Sequence, residues 1–271
     1  MGEGAEEISA ADFEAAVGLV YRESGIRLSD AKRPQAAARI RRAAGARPAA
    51  FVAAACARRG PERAALLDAV TVQETSFFRT ARHFDWFERE FLPEAVAGAR
   101  RGGREKRLRV WSAACSTGQE PYSLAILIAE NRLRMPDWRV DLLATDVSAQ
   151  AVAAAEAGVY PERKLGGLGE KRLRRHFRVD AGRAEARQKL REAVTFQTGN
   201  LMRPPAGPWD CVWLRNVLIY FDGPSKAAAV EAVAGEIAPG GYLVLGPSEG
   251  VTDPPACLRR VETFLYRKDA P

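Results

Sequence analysis

Apolar positions follow two rhythms along this chain, and the change between them falls near residue 108. Before it the spacing is helical. Phe13, Val17, Val20 and Tyr21 share one face after Ser9, a residue suited to cap a helix, and Gly25 is placed to end it. Ser29 or Asp30 can cap a second helix, with Ala36, Ile40 and Ala44 on one face, Arg39 and Arg42 on another, and Gly45 and Pro48 as stops. Residues 49–59 and 61–70 predict two more, the last turning Leu66, Leu67 and Val70 inward. Phe84 to Phe91 predicts an aromatic helix stopped near Pro93, followed by a basic, glycine-bearing linker over 98–107. Phe77, Phe78, Phe84, Trp86, Phe87 and Phe91 are expected to pack the junction between domains.

From residue 108 onward the apolar runs are short and each ends in small or polar residues. Leu108, Val110 and Trp111 open the series, and residues 140–144, 194–198, 210–214, 241–245 and 263–266 continue it as strands. Helical stretches at 123–131, 148–158 and 226–237 separate several of them. Strands alternating with helices predict an α/β fold with an open, mostly parallel sheet, whose ligand sits at the strands' carboxyl ends beside the switch in strand order. Residues 160–193 are too long for an ordinary loop and predict a small inserted subdomain. The expected division is an all-α N-terminal domain over 1–80, the aromatic helix and linker over 81–107, and the sheet domain over 108–271.

The chemistry begins in the turn after the first strand, Ala113-Ala114-Cys115-Ser116-Thr117-Gly118-Gln119-Glu120-Pro121. Small residues there let backbone approach a ligand, and Pro121 suits a first helical turn. A phosphate cradle would present amides and a lysine, whereas this turn presents Glu120. That acid either complements the helix dipole or favours a cationic ligand, such as the ammonium and sulfonium of S-adenosylmethionine. Asp146, ending the second strand, either binds ribose hydroxyls or caps the next helix.

Composition narrows the classes. The 271 residues contain no apolar run near the ~18–20 residues of a membrane span, and the acidic residues 3–7 are unlike a signal peptide. A cytoplasmic location without membrane insertion is therefore expected. Four scattered cysteines and two histidines argue against a disulfide framework or a metal site. Asp30 to Arg63 holds nine Lys or Arg against two acids, enough to account for the whole chain's net +7. This basic stretch is either a solvated face or a docking surface for an acidic partner. Nucleic acid is not expected, because Phe51 is its only aromatic and offers no stacking platform.

Several motifs, in this order, resemble one family. They are Gln73-Glu74-Thr75-Ser76-Phe77-Phe78-Arg79, Val110 to Ser123, Thr145-Asp146, Val194 to Leu201, Arg215-Asn216-Val217-Leu218-Ile219-Tyr220-Phe221-Asp222 and Gly246-Pro247-Ser248-Glu249, with Ile8 to Leu28 before them. Together they resemble the CheR-type chemotaxis receptor glutamate O-methyltransferases. The resemblance implies a Rossmann-like S-adenosylmethionine-dependent methyltransferase domain with a small inserted β-subdomain. It would methylate glutamate carboxylates on the cytoplasmic helical domain of chemoreceptors, releasing S-adenosylhomocysteine and acting as a monomer. It also implies cofactor contacts at Gln73, Thr75, Arg79, Ala113, Glu120, Asp146, Asn200, Leu201, Arg215 and Asn216, and catalytic roles for Arg79 and Tyr220. Arg39 and Arg42 are the candidate docking residues.

Three departures stand out. Gln73 replaces the family's Asn, Pro247 replaces its usual His, and the segment from Phe177 to Phe196 is shorter than in members whose β-subdomain binds a receptor's C-terminal peptide. Two rival readings are an RNA methyltransferase and a non-catalytic S-adenosylmethionine sensor. The sequence after the fourth strand, Arg215-Asn216-Val217, has nothing like the Asn/Asp-Pro-Pro-Tyr run of amine methyltransferases.

Overall fold

The computed structural model describes residues 7–58 and 60–270. Its first part is a bundle of α1 (Ala10–Ser24), α2 (Arg33–Ala44), α3 (Pro48–Ala57) and α4 (Pro61–Val70). Ser9 caps α1, its hydroxyl accepting the Asp12 N–H at 3.1 Å, and Gly25 ends it in the left-handed region at φ 74°. The second helix starts later than expected. Asp30–Lys32 forms a 3-10 turn, Ser29 makes no side-chain cap, and Pro34 sits in the first turn of α2. Gly45 ends α2, whereas Pro48 starts α3 rather than stopping its predecessor, since a missing N–H costs nothing in a first turn. The end predicted for that third helix, Arg59, lies outside the described residues. Phe13, Leu19, Val20, Ile40, Val52 and Leu66 form the bundle's own core.

The aromatic helix does not stop at Pro93. α5 (Ala81–Trp86) passes through a widened π turn at Phe87–Phe91 into α6 (Leu92–Arg100). Within that turn the Leu92 N–H reaches back five residues to the Phe87 carbonyl, a locally unwound geometry that accommodates a proline without ending the helix. Nor do the aromatics join two domains. Phe84 and Phe87 lie against Trp213 of the sheet, with ring centroids 4.8 and 5.7 Å away. Phe77 meets Tyr160 and Phe177 edge-on at 5.1 and 5.5 Å. They belong to the core under the sheet, and none of them enters the bundle's core.

After α6 the chain runs β1 (Arg107–Ala113), α7 (Gln119–Glu130), β2 (Arg139–Asp146) and α8 (Ala149–Ala157). Then come β3 (Val159–Pro161), α9 (Gly169–His176), β4 (Phe177–Asp180), β5 (Arg183–Ala186) and α10 (Gln188–Arg191). It closes with β6 (Thr195–Thr198), β7 (Trp209–Leu214), α11 (Gly223–Gly235), β8 (Ile237–Leu245), β9 (Leu258–Glu262) and β10 (Leu265–Lys268). The large sheet has the order β6-β2-β1-β7-β8-β10-β9, its first five strands parallel and β10 antiparallel to both neighbours. The order reverses between β1 and β7, which places the ligand crevice at their carboxyl ends. The insert is a small antiparallel sheet, β3-β5-β4, as the long interval between strands predicts. Only the second strand of the closing hairpin is legible in the sequence, because the β9 residues Arg259, Arg260 and Val261 are exposed and give no apolar run.

The bundle is tied to the sheet by polar and backbone contacts. The Arg27 N–H donates to the Tyr220 carbonyl at 2.8 Å, Ile26 bridges to Phe221, and the Tyr21 hydroxyl donates to Asp222 at 3.0 Å.

Candidate active site

At the switch point a cleft of about 1280 Å³, counted out to its open mouth, lies between the strand ends and the underside of the bundle. Gln73, Thr75, Arg79, Glu120, Asp146, Asn200, Leu201, Arg215, Asn216 and Tyr220 all line it. Of the two candidate docking arginines, Arg39 reaches the mouth, while Arg42 is exposed on the same helix and does not line the cleft. Ala113 is fully buried inside β1; the next residue, Ala114, takes its place on the cleft wall.

The wall is built from strained backbone. Ala114, Ser116 and Asn216 all occupy the left-handed region, at φ 60°, 52° and 59°. L-residues pay for that conformation, and it persists only where the surroundings hold it. Here the Cys115 N–H donates to the Thr145 carbonyl and the Ser116 N–H to Asp146 Oδ2, both at 2.8 Å. Gly118, at φ 92°, closes the turn where a Cβ would come within 2.8 Å of Ala155, so only glycine fits.

Asp146 is buried, yet each carboxylate oxygen already accepts one backbone N–H, Oδ2 from Ser116 and Oδ1 from Ser148 at 2.9 Å. Burial raises its pKa and the two amides oppose that rise. The cap of α8 is Ser148, whose hydroxyl accepts the Ala151 N–H at 3.0 Å. Asp146 is therefore left free of the capping role, and each oxygen keeps lone-pair capacity for a ligand hydroxyl. That is the requirement for holding a ribose diol.

Glu120 has two partners of its own inside the protein. The Ser112 hydroxyl donates to its Oε1 and Arg215 Nη1 to its Oε2, each at 2.8 Å. Burial raises the Glu120 pKa, and the Arg215 guanidinium is the main opposing influence. The same Arg215 donates through Nη2 to the Arg79 carbonyl at 2.6 Å, so it braces the 73–79 segment from below. Arg79 itself spends Nη1 on the Glu74 carbonyl at 2.9 Å and is half-buried in the cleft.

Tyr220 stands beside it, with Lys32 Nζ 4.6 Å above its ring. Burial, with the charges of Glu74 and Glu249, holds the phenol's pKa above its ordinary value while Arg79 opposes. At neutral pH Tyr220 is thus a hydrogen-bond donor. Neither histidine lines the cleft. His83 is buried against Phe264, its pKa lowered to about 3 by burial and by the charges of Arg215 and Arg82.

Gln73, one methylene longer than the family's Asn, accepts from the Ser116 hydroxyl at 2.5 Å and donates to the Thr71 hydroxyl at 3.2 Å. Asn200 receives the Met202 N–H at 2.9 Å and donates its amide to the Glu23 carbonyl of α1. Sequence reasoning gave no role to Glu249, which is buried and accepts the N–H groups of Asn216, Gly246 and Ile219. It fixes the loop that carries Asn216 and Tyr220. Its signal was an acid right after the strand-ending Gly246-Pro247-Ser248.

An adenosyl group with a cationic methionyl arm fits these residues. Asp146 has acceptor capacity for the ribose, Leu201 and Val147 give the cleft an apolar wall, and Arg79 offers donors to the amino-acid carboxylate. Sheet order, switch point and an acid at the end of the second strand together fit one class, the S-adenosylmethionine-dependent methyltransferases. Residues 73–265 match the model of the family described as "CheR methyltransferase, SAM binding domain". Over 220 residues the chain is 39% identical to chemotaxis protein methyltransferase 1 of Pseudomonas aeruginosa, covering 78% of this chain and 79% of that protein. It is 33% identical over 260 residues to the chemotaxis protein methyltransferase of Salmonella typhimurium, covering 91% and 86%. The chain belongs to the CheR methyltransferase family, and S-adenosylmethionine is its cofactor. Among the described residues no helix is long and apolar enough to cross a membrane, and no cluster of His, Cys, Asp and Glu could hold a metal.

Proposed function

We propose that this chain transfers the methyl group of S-adenosylmethionine to glutamate side chains of chemoreceptors, giving methyl esters and S-adenosylhomocysteine. The cofactor supplies the electrophilic methyl on a sulfonium and leaves as a thioether. A glutamate carboxylate is ionised at neutral pH, so it attacks without a general base. The observation that carries the reading is a cleft with donors, a ribose acid and no imidazole, roofed by an arginine-bearing bundle.

The protein's own work is then placement. Asp146 holds the ribose, Arg79 pairs with the methionyl carboxylate, and the protonated Tyr220 phenol donates to the incoming carboxylate and aims its free oxygen at the methyl. Such alignment can supply on the order of 7–11 kcal/mol of barrier lowering. Arg39 and Arg42 on α2 draw the acidic receptor helix towards the mouth. In this reading the chain works in the cytoplasm as a monomer, with α1–α4 as its docking unit.

Incubation with radiolabelled S-adenosylmethionine and receptor helical fragments should label the protein, and mild alkali should release the label as methanol. Alkali-stable label, label in RNA instead, or cofactor binding without transfer would each defeat the proposal.

A further inference from the structure

One acid near the cleft takes no part in the chemistry above and yet closes a ring of hydrogen bonds around it. Asp68, in the last turns of α4, belongs to the bundle. Its Oδ1 accepts the Ser148 hydroxyl at 2.6 Å and the Gln150 N–H at 3.3 Å, 80 and 82 residues away. From Ser148 the path runs through its N–H to Asp146 Oδ1, then from Oδ2 back to Ser116. The Ser116 hydroxyl passes it to Gln73 and Gln73 to the Thr71 hydroxyl. The Thr71 hydroxyl finally donates to the backbone carbonyl of Asp68 at 3.2 Å. The ring is closed, and the ribose acid sits inside it.

We propose that Asp68 is a positioning residue of the transfer site: reaching across from the bundle, it orients Ser148 and the start of α8, and so holds Asp146 in the setting that receives the ribose. Two features argue for this over a simple staple between two parts of the fold. Ser148 is buried and uses every polar group at once, donating its hydroxyl to Asp68, accepting the α8 cap with the same oxygen, and donating its N–H to Asp146. Its hydroxyl proton has a fixed direction only because Asp68 accepts it. Furthermore, the charge of Asp68 works against the ionised form of Asp146, so an electrostatic role would favour some other residue here. What position 68 must supply is an acceptor at a defined place.

The ring also touches the docking side, where Arg39 Nη1 donates to the Thr71 carbonyl at 3.3 Å. The bundle's seating and the ribose acid's orientation are consequently parts of one network.

The inference rests on the cofactor reading above, and S-adenosylhomocysteine titrated calorimetrically into the full chain tests it. Asp68→Asn keeps the acceptor and should bind within about twofold of the native chain, whereas Asp68→Ala should raise Kd by about five- to thirtyfold, as for a lost hydrogen bond at a buried partner. In an Asp146→Asn background the Asp68→Ala change should add little, because its effect passes through Asp146. With a receptor fragment, Asp68→Ala should raise the KM for S-adenosylmethionine more than it lowers kcat. Should Asp68→Ala not fold, Asp68→Ser, which is too short to reach Ser148, replaces it with the same expectations.

Unchanged Kd with a lowered unfolding temperature would reduce Asp68 to a staple and overturn the proposal. So would an Asp68→Asn chain as weak as Asp68→Ala, or full additivity with Asp146→Asn. A native chain that takes up no S-adenosylhomocysteine would overturn the cofactor reading, and this inference with it.

Discussion

The cleft and the basic bundle face each other across the same mouth but are built on opposite terms. In the cleft, charged groups are buried and answered atom by atom: Glu120 by Ser112 and Arg215, Asp146 by two amides, Glu249 by three. On α2, Arg39 and Arg42 are exposed and neither has a carboxylate partner among the ion pairs of the described residues. Buried groups depend on geometry and on protonation, exposed ones on the summed field and on salt. The first arrangement suits a particular small molecule; the second, in the proposed function, would draw an acidic partner without fixing its pose.

The largest test of that contrast is Glu120→Ala, which strands a buried arginine. Removing one partner of such a pair costs about 3–5 kcal/mol, so urea unfolding should show a loss of that order, and a loss below about 1 kcal/mol would mean that Arg215 is easily rehydrated. Next is Asp146→Ala, which should weaken cofactor binding by about 1.5–3 kcal/mol with the fold retained. Unchanged affinity by calorimetry removes Asp146 from the site.

Protonation separates the regions further. His83 is held neutral, with a pKa of about 3. Its folded value lies below its unfolded value of ~6.5, so its contribution to stability is complete above pH ~6.5 and is lost as pH falls towards 3. The slope approaches about 1.4 kcal/mol per pH unit in that window, and His83→Phe should flatten it; equal slopes in both proteins would show that other groups control the acid limb.

A smaller effect is expected for Arg79→Lys, which keeps the charge and loses the paired donors. Turnover and cofactor affinity should each fall about tenfold, and near-native values would count against a bidentate role. Smallest per residue is the docking face, where an exposed ion pair is worth roughly 0–1 kcal/mol. Arg39→Glu with Arg42→Glu should slow transfer to receptor fragments without changing cofactor affinity. The native rate should also fall as salt rises from about 0.01 to 0.15 M. Rates indifferent to both changes would make α2 a merely solvated surface.

What could be read from the residues follows the same division. The turn from Ala113 to Pro121 and the strand-ending Asp146 are local grammar, and local grammar survives in the sequence. Partnerships across the fold do not. Arg215 lies 95 residues from Glu120 and Glu249 stands 33 from Asn216, and no spacing rule connects them. The composition of the aromatic stretch says only that it is buried, not against what, so the junction it suggests is not where it packs. Pro93 looks like a stop because the π turn that accommodates it leaves no residue signature. The β9 strand is polar on its exposed face and was invisible for that reason.

The tyrosine loop has a history written into its contacts. Tyr21 bonds to Asp222, 201 residues further along, and the neighbouring Arg27 N–H holds Tyr220 in place. On a ribosome the first helix is finished long before its partner loop exists. The contacts that hold Tyr220 can thus form only after residue 222 has left the ribosome. Nascent chains stalled before residue 215 should leave the Ile26–Arg27 segment open to protease, and released chains should protect it; early protection would show that the helix finds its place without the loop.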